Sequence, residues 1–189
     1  MRLTTDWLLD WRRRTADDLT AIDALFEEVH GYSPYEACEV CDEDADCGCP
    51  PPGGRVVPAD ERSRALAERH AAAPGYPAEL ALFHRVVAEA WLMNVDHGYH
   101  LAAAGRPDCC CPGPGHEELA AGVTGFPLGS DGGGLIFAVG TDGRVYRSAG
   151  ASWESDFEPV QPDLRSFLEW LADAVADFRE RTEAFAAAG

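Results

Sequence analysis

A glycine-punctuated stretch, Gly125 to Arg147, constrains the fold of this 189-residue chain more strongly than any other. It contains a turn at Ser130–Gly134 and then two runs rich in β-branched and aromatic residues, Leu135–Val139 and Arg144–Arg147, joined through Asp142-Gly143. An Asp-Gly pair between two such runs is the strongest short-range signal of a β-hairpin, because the glycine readily adopts a positive φ. We therefore expect the central sheet to pass through this stretch.

Helical periodicity predicts the elements around the hairpin. Apolar residues recur at spacings of three and four in five segments, and the first two of them read as a packed pair of helices. A strand is predicted at Gly98–Ala102, and at most one short strand between residues 150 and 162. The five predicted helices are Leu3–Arg14, Thr15–His30, Ala59–Ala73, Pro77–Trp91 and Asp163–Phe185.

Seven cysteines form the sharpest chemical signal, and they fall into two groups. Four lie in a predicted loop, Tyr32–Pro58, that is long for a compact domain, and three are consecutive near residue 110. The first group has the pattern Cys-x2-Cys-x5-Cys-x-Cys, and four thiolates form the closed tetrahedral site of a structural zinc. Disulfides and free thiols remain alternatives, because the second pair is separated by one residue only. The candidate ligands are Cys38, Cys41, Cys47 and Cys49, with Cys109, Cys111 and His116 as further members.

Other site patterns in the sequence are weaker. Alternating carboxylates at Asp42, Asp44 and Asp46 suggest a calcium loop, but the glycine and glutamate that such a loop needs are missing. The Ser130–Gly134 turn lacks the Gly-Lys-Ser/Thr of a phosphate loop and leads into a strand. Ser130 with Asp131 and a histidine would make a hydrolase triad, yet no Gly-x-Ser-x-Gly signature supports it. We expect no catalytic residues.

The charge of the chain excludes several kinds of partner. There are 33 acidic and 15 basic residues, so the formal net charge is −18. Such a surface disfavours non-specific binding to nucleic acid or to anionic lipid and suits a basic partner. The N-terminus shows no apolar signal-peptide region and no segment has the length of a membrane span, so we expect a soluble, cytoplasmic protein.

The order of segments resembles the SMI1/KNR4, or SUKH, superfamily between about Tyr76 and Phe178. The resemblance is carried by the helix start at Pro77–Phe83, the passage from Asn94 to Leu101, the glycine turn before the hairpin, Val145-Tyr146 and the closing helix from Asp163. It implies an α+β domain whose central, largely antiparallel sheet is flanked by helices. It also implies a bacterial immunity protein that binds and neutralises a toxin, often a nuclease.

We accordingly expect one domain over 1–189, with helices and a cysteine-rich loop in 1–58 as an N-terminal extension and an SMI1/KNR4-like core in 59–185. The predicted function is non-catalytic binding of a protein partner, a basic toxin domain, without nucleic acid or membrane. A structural or regulatory zinc protein is the alternative, and a metal-dependent enzyme is a weaker one.

Overall fold

The computed structural model describes residues 2–31, 53–93, 95–102 and 117–188. These ranges contain four helices and eight strands, and the fold is of the α+β class with a central sheet flanked by helices, as the sequence predicts. The elements in chain order are α1 Thr5–His30, β1 Arg55–Pro58, α2 Glu61–Ala71, α3 Ala78–Val86, β2 Val87–Leu92, β3 Tyr99–Leu101, β4 Glu117–Ala120, β5 Val123–Asp131, β6 Ile136–Gly140, β7 Val145–Ser148, β8 Phe157–Gln161 and α4 Leu164–Ala188.

Every strand pairing in the described sheet is antiparallel, and the strand order is β1-β2-β3-β5-β6-β7-β8. Strand β5 is nine residues long and has two partners along one edge, since β3 pairs with its last residues and β4 pairs with its first. The predicted hairpin is confirmed as β6 and β7, with Val139 opposite Val145 and Gly143 at a φ of 84°.

The main core lies between one face of the sheet and three helices, α1, α3 and α4, while α2 packs beside α3. Strand residues alternate between the two faces, so Phe137 and Val139 join this core whereas Ala138 belongs to a small cluster on the opposite face with Leu119 and Tyr146. The largest fully buried side chains of the core are Trp11, Phe83 and Phe167.

The prediction of two N-terminal helices, Leu3–Arg14 and Thr15–His30, is wrong. A single helix of 26 residues runs from Thr5 to His30, capped by the Thr4 hydroxyl, which accepts a hydrogen bond from the Trp7 amide. Thr15 does not cap a second helix because it is itself a buried residue of the continuous stripe that faces the core. That stripe runs in one phase through Leu8, Trp11, Thr15, Leu19 and Ile22. The predicted end at Gly31 is confirmed by its φ of 73°.

The prediction of a helix over Pro77–Trp91 is wrong in its second half. Helix α3 ends at Val86 and the chain continues without a loop into β2, with Val87 already extended at φ −120° and ψ 121°. β-branched residues at the junction favour the strand, and pairing on both sides, with β1 and β3, satisfies its backbone groups. Likewise, the final part of the predicted loop Tyr32–Pro58 is the edge strand β1.

The remaining predicted elements agree with the structure. The helix expected over Ala59–Ala73 is α2, which begins after Asp60, whose carboxylate accepts a hydrogen bond from the Ser63 amide. The strand near Gly98–Ala102, the short strand before Pro162 and the closing helix are β3, β8 and α4. In the described ranges, every helix is too short or too polar to cross a lipid bilayer.

Candidate interaction surface

The predicted zinc ligands lie outside the described residues. The described chain stops at Gly31 and resumes at Gly53, and it stops again at Ala102 and resumes at Glu117, so both cysteine groups fall in the intervals between. Among the residues that are described, no three histidine, cysteine, aspartate or glutamate side chains come together as a metal site. The same intervals contain the calcium-like carboxylates. The residues concerned are Cys38, Cys41, Cys47, Cys49, Cys109, Cys111 and His116 for zinc, and Asp42, Asp44 and Asp46 for calcium.

The glycine turn before the hairpin is shaped by the backbone of a neighbouring turn. A Cβ atom on Gly132 would lie 1.8 Å from the carbonyl oxygen of His97, and the Gly132 amide donates a hydrogen bond of 2.9 Å to the Gly98 carbonyl. The Asp131 carboxylate accepts a hydrogen bond of 2.8 Å from the Leu135 amide and so closes the turn. Because β-strands flank the turn on both sides, it presents no helix N-terminus to a phosphate.

The imagined hydrolase triad is not assembled at this turn. Ser130 is opposite His100 in the pairing of β3 with β5, so the two residues share a face of the sheet. Asp131 is the next residue along β5 and points to the other face, where its carboxylate accepts the hydrogen bond from the Leu135 amide that closes the turn. A serine, a histidine and a carboxylate are therefore not aligned as a nucleophile, its base and the group that orients the base.

A buried histidine on α3 has a strongly perturbed pKa. His84 is 2% exposed, and its ring packs edge-on against Phe83. Burial, with a smaller contribution from the charge of His70, lowers the pKa of His84 from 6.5 to about 3. His70 itself stacks on Tyr76, whose pKa is raised by burial. Because His84 is buried, a substrate cannot reach it. Its titration therefore affects the free energy of unfolding.

Helices α1 and α4 form a parallel pair on the sheet. The Arg165 guanidinium lies over the Trp7 ring, the Trp11 indole donates a hydrogen bond of 2.8 Å to the Leu168 carbonyl, and an ion pair joins Asp18 to Arg179. Residue numbers thus rise together along both helices, and their C-terminal ends lie at the same end of the molecule. The described residues of α1 after Ile22 and of α4 after Val175 are half-buried or exposed, and of these Phe178 still packs against the main core.

The C-terminal parts of this helix pair concentrate negative charge. Residues 15–30 of α1, which follow the Arg12–Arg14 triplet, carry five carboxylates and no arginine, and residues 169–188, which are most of α4, carry five carboxylates and two arginines. Ten negative and two positive side chains give these 36 residues a net charge of −8, out of −18 for the whole chain. The C-terminal end of each helix dipole adds about half a negative charge. By contrast, α2 carries three arginines against two glutamates.

We call the exposed C-terminal parts of α1 and α4 the acidic helix surface. Its outward side chains on α4 recur at helical spacing, as Glu169, Asp173, Asp177 and Glu180. Sequence reasoning predicted the excess of acid but not its position, because the parallel packing of α1 on α4, which are separated by more than 130 residues, brings the two acidic segments together. The 3.6-residue period of α4 would have identified its outward row.

Comparison with protein-family models, with curated proteins and with solved structures finds no match for this chain. The resemblance to the SMI1/KNR4 superfamily therefore stays a prediction from the sequence.

Proposed function

We propose that this protein is a non-catalytic, cytoplasmic binding protein that neutralises a basic toxin domain, such as a nuclease, by direct contact. The observation that carries the proposal is the acidic helix surface, where two parallel helices present a net charge of −8 on rigid elements. Complementary charge on a partner accelerates association and suppresses wrong partners. The segment order that resembles the SMI1/KNR4 superfamily agrees with this function.

Geometry also supports binding through this surface. The pair is fixed internally by the Trp11 to Leu168 hydrogen bond and by the partly buried ion pair of Asp18 with Arg179. Charges on rigid helices keep their mutual spacing, so little ordering entropy is lost when a partner binds. The outward carboxylates Glu27, Glu28, Asp173 and Glu180 are exposed and accessible to a partner.

The test is co-expression of the full chain with toxin-like proteins encoded beside its gene. We expect growth to be restored by the wild-type chain and lost on Asp173→Lys with Asp177→Lys, whereas Glu61→Lys with Glu68→Lys on α2 makes the same change in net charge and leaves rescue intact. Affinity for the toxin should fall as salt is raised, because the contact is electrostatic. The proposal would be refuted if the wild-type chain failed to restore growth against every neighbouring toxin and if no protein partner were found in the source cell.

The spacing of the cysteines favours a second function, that of a structural or regulatory zinc protein. Four thiolates form a closed site that leaves no position for a catalytic water. Elemental analysis of the purified chain is expected to show bound zinc that is lost on Cys38→Ser with Cys41→Ser. A chain without metal would remove this alternative and would leave the toxin-binding proposal unaffected.

A further inference from the structure

Helix α4 already holds two guanidinium groups in the same way. The Arg165 guanidinium carbon lies 4.9 Å from the centre of the Trp7 ring, and its Nε donates a hydrogen bond of 3.0 Å to the Glu169 carboxylate. Arg181 lies over the Phe178 ring at 5.6 Å, and its Nη2 is 3.5 Å from the carboxylate of Asp96. In each case an aromatic ring and a carboxylate together bind one arginine.

The Trp170 ring of α4 also has carboxylates beside it, but among the described residues no guanidinium lies over it. The nearest arginine along this face is Arg181, whose Nε donates a hydrogen bond of 3.3 Å to the backbone carbonyl of Asp177. Trp170 is 38% exposed, which makes it one of three large apolar side chains exposed in the described part of the chain. Asp173 and Asp177 follow it at i+3 and i+7, so the three side chains share one face of α4. Among the described residues, no cation lies over the Trp170 ring, and no ion pair involves Asp173 or Asp177.

The orientation of the Trp170 ring is fixed by its neighbours. Tyr99 of β3 meets it edge to face, with ring centres 5.4 Å apart and planes at 80°, and Phe167 lies 5.5 Å away at 42°. Tyr99 and Phe167 are both buried, so they support the ring from the core side. An exposed aromatic ring held in this way loses little side-chain entropy when a ligand stacks on it.

We propose that the face formed by Trp170, Asp173 and Asp177, hereafter the Trp170 face, binds an arginine of a protein partner, with the guanidinium over the indole ring and against the carboxylates. The inference rests on the proposed function, because it names the chemistry of the partner and the place where it binds. Arginine suits this face better than lysine, since its planar guanidinium stacks on an indole while its N–H groups reach a carboxylate. Nucleic acid is unsuitable because its phosphates carry the same charge as the face.

The probes are two labelled peptides of equal length and charge, one alternating arginine with serine and the other lysine with serine, titrated against the full chain by fluorescence anisotropy. The wild-type chain is expected to bind the arginine peptide more tightly than the lysine peptide. Trp170→Leu keeps the net charge and the apolar bulk but removes the ring, so it should weaken binding of the arginine peptide by about two- to fivefold and abolish the preference for arginine. Trp170→Phe, which keeps a ring on Tyr99, should give an intermediate affinity and guards against a folding defect in the leucine variant.

A matched pair of charge variants separates this face from general acidity. Asp173→Asn with Asp177→Asn should weaken binding roughly fivefold, whereas Glu61→Gln with Glu68→Gln on α2 changes the net charge equally and should change the affinity by less than about twofold. Absence of binding by the wild-type chain, equal losses in the two double variants, no preference for arginine, or unchanged affinity in Trp170→Leu would each overturn the inference. Self-association of the chain that depends on Trp170 would also overturn it, since the occupant would then be a second copy.

The two proposals fail in different ways. If a neighbouring toxin is neutralised equally well by the wild-type chain and by Trp170→Leu, the Trp170 face is wrong and the toxin-binding function stands. If the arginine peptide binds with the expected variant pattern but no toxin is neutralised, the function is wrong and the face stands.

Discussion

Lowering the pH from 7.5 to 5.0 is expected to destabilise this protein through His84. This imidazole is 2% exposed, and among the described residues its Nδ1 has no hydrogen-bond partner. Its pKa in the folded chain is about 3, against 6.5 when it is exposed. Between these values the unfolded chain binds a proton that the folded chain does not, so stability falls as the pH falls below 6.5.

The size of the loss at pH 5.0 depends on the ordinary pKa of histidine. One and a half pH units below 6.5, protonation of the unfolded chain costs the folded state about 2 kcal/mol, at roughly 1.4 kcal/mol for each unit of pH. A folded pKa anywhere below about 4 gives the same loss at this pH. At pH 7.5 the contribution of His84 is close to zero, because both states hold the neutral ring.

The assay is urea denaturation of the wild-type chain and of His84→Leu at several pH values between 7.5 and 5.0. The free energy of unfolding of the wild type, relative to the variant, should fall by about 2 kcal/mol over this range. The control is His70→Gln, which removes a less buried histidine and should leave most of that fall in place. A difference between wild type and His84→Leu that stays constant with pH would refute the reasoning. So would an NMR titration in which the His84 ring of the folded protein takes up a proton above pH 5.

Two further substitutions test the packing. Trp11→Phe removes the indole donor to the Leu168 carbonyl and part of a fully buried ring. The free energy of unfolding, measured by urea denaturation, should therefore fall by about 2–3 kcal/mol. A loss below about 1 kcal/mol would contradict the assigned contact. Gly132→Ala places a Cβ 1.8 Å from a backbone carbonyl oxygen and should lower the melting temperature by several degrees, whereas at Gly133 the nearest atom is a carboxylate oxygen at 3.3 Å and alanine should be tolerated. Equal effects at the two glycines would show that the turns are not in close contact.

Elements whose signals are local were predicted well from the sequence. The β6–β7 hairpin depends on Asp142 and Gly143 within the turn itself, and α4 depends on one amphipathic period sustained over its length. The Gly31 stop of α1 also uses only neighbouring backbone, since its amide donates to the Glu27 carbonyl. In each case the residues that determine the conformation are within a few positions of one another.

The errors arise where distant contacts decide the local conformation. From Val86 onward the apolar pattern fits either a helix or a buried strand, and periodicity alone does not separate them. β2 becomes a strand because β1 and β3, from either side along the chain, pair with it. At Thr15 the opposite happened, since a residue type that favours caps is held inside a helix by its burial against the core.

The negative charge at the C-terminal ends of α1 and α4 is relevant to function because it lowers the stability of these helices. Helix C-termini are negative, so arginine, lysine or histidine in the last turn is stabilising, and α2 follows this rule with Arg69 and His70. The two long helices follow it less well: α1 has Glu27 and Glu28 just before His30 at its end, and α4 has no basic residue in its last turn. Packing α1 parallel to α4 puts both unfavourable ends side by side, which raises the repulsion further. A basic partner would relieve this repulsion on binding, and that gain supports the acidic helix surface as the place where such a partner docks.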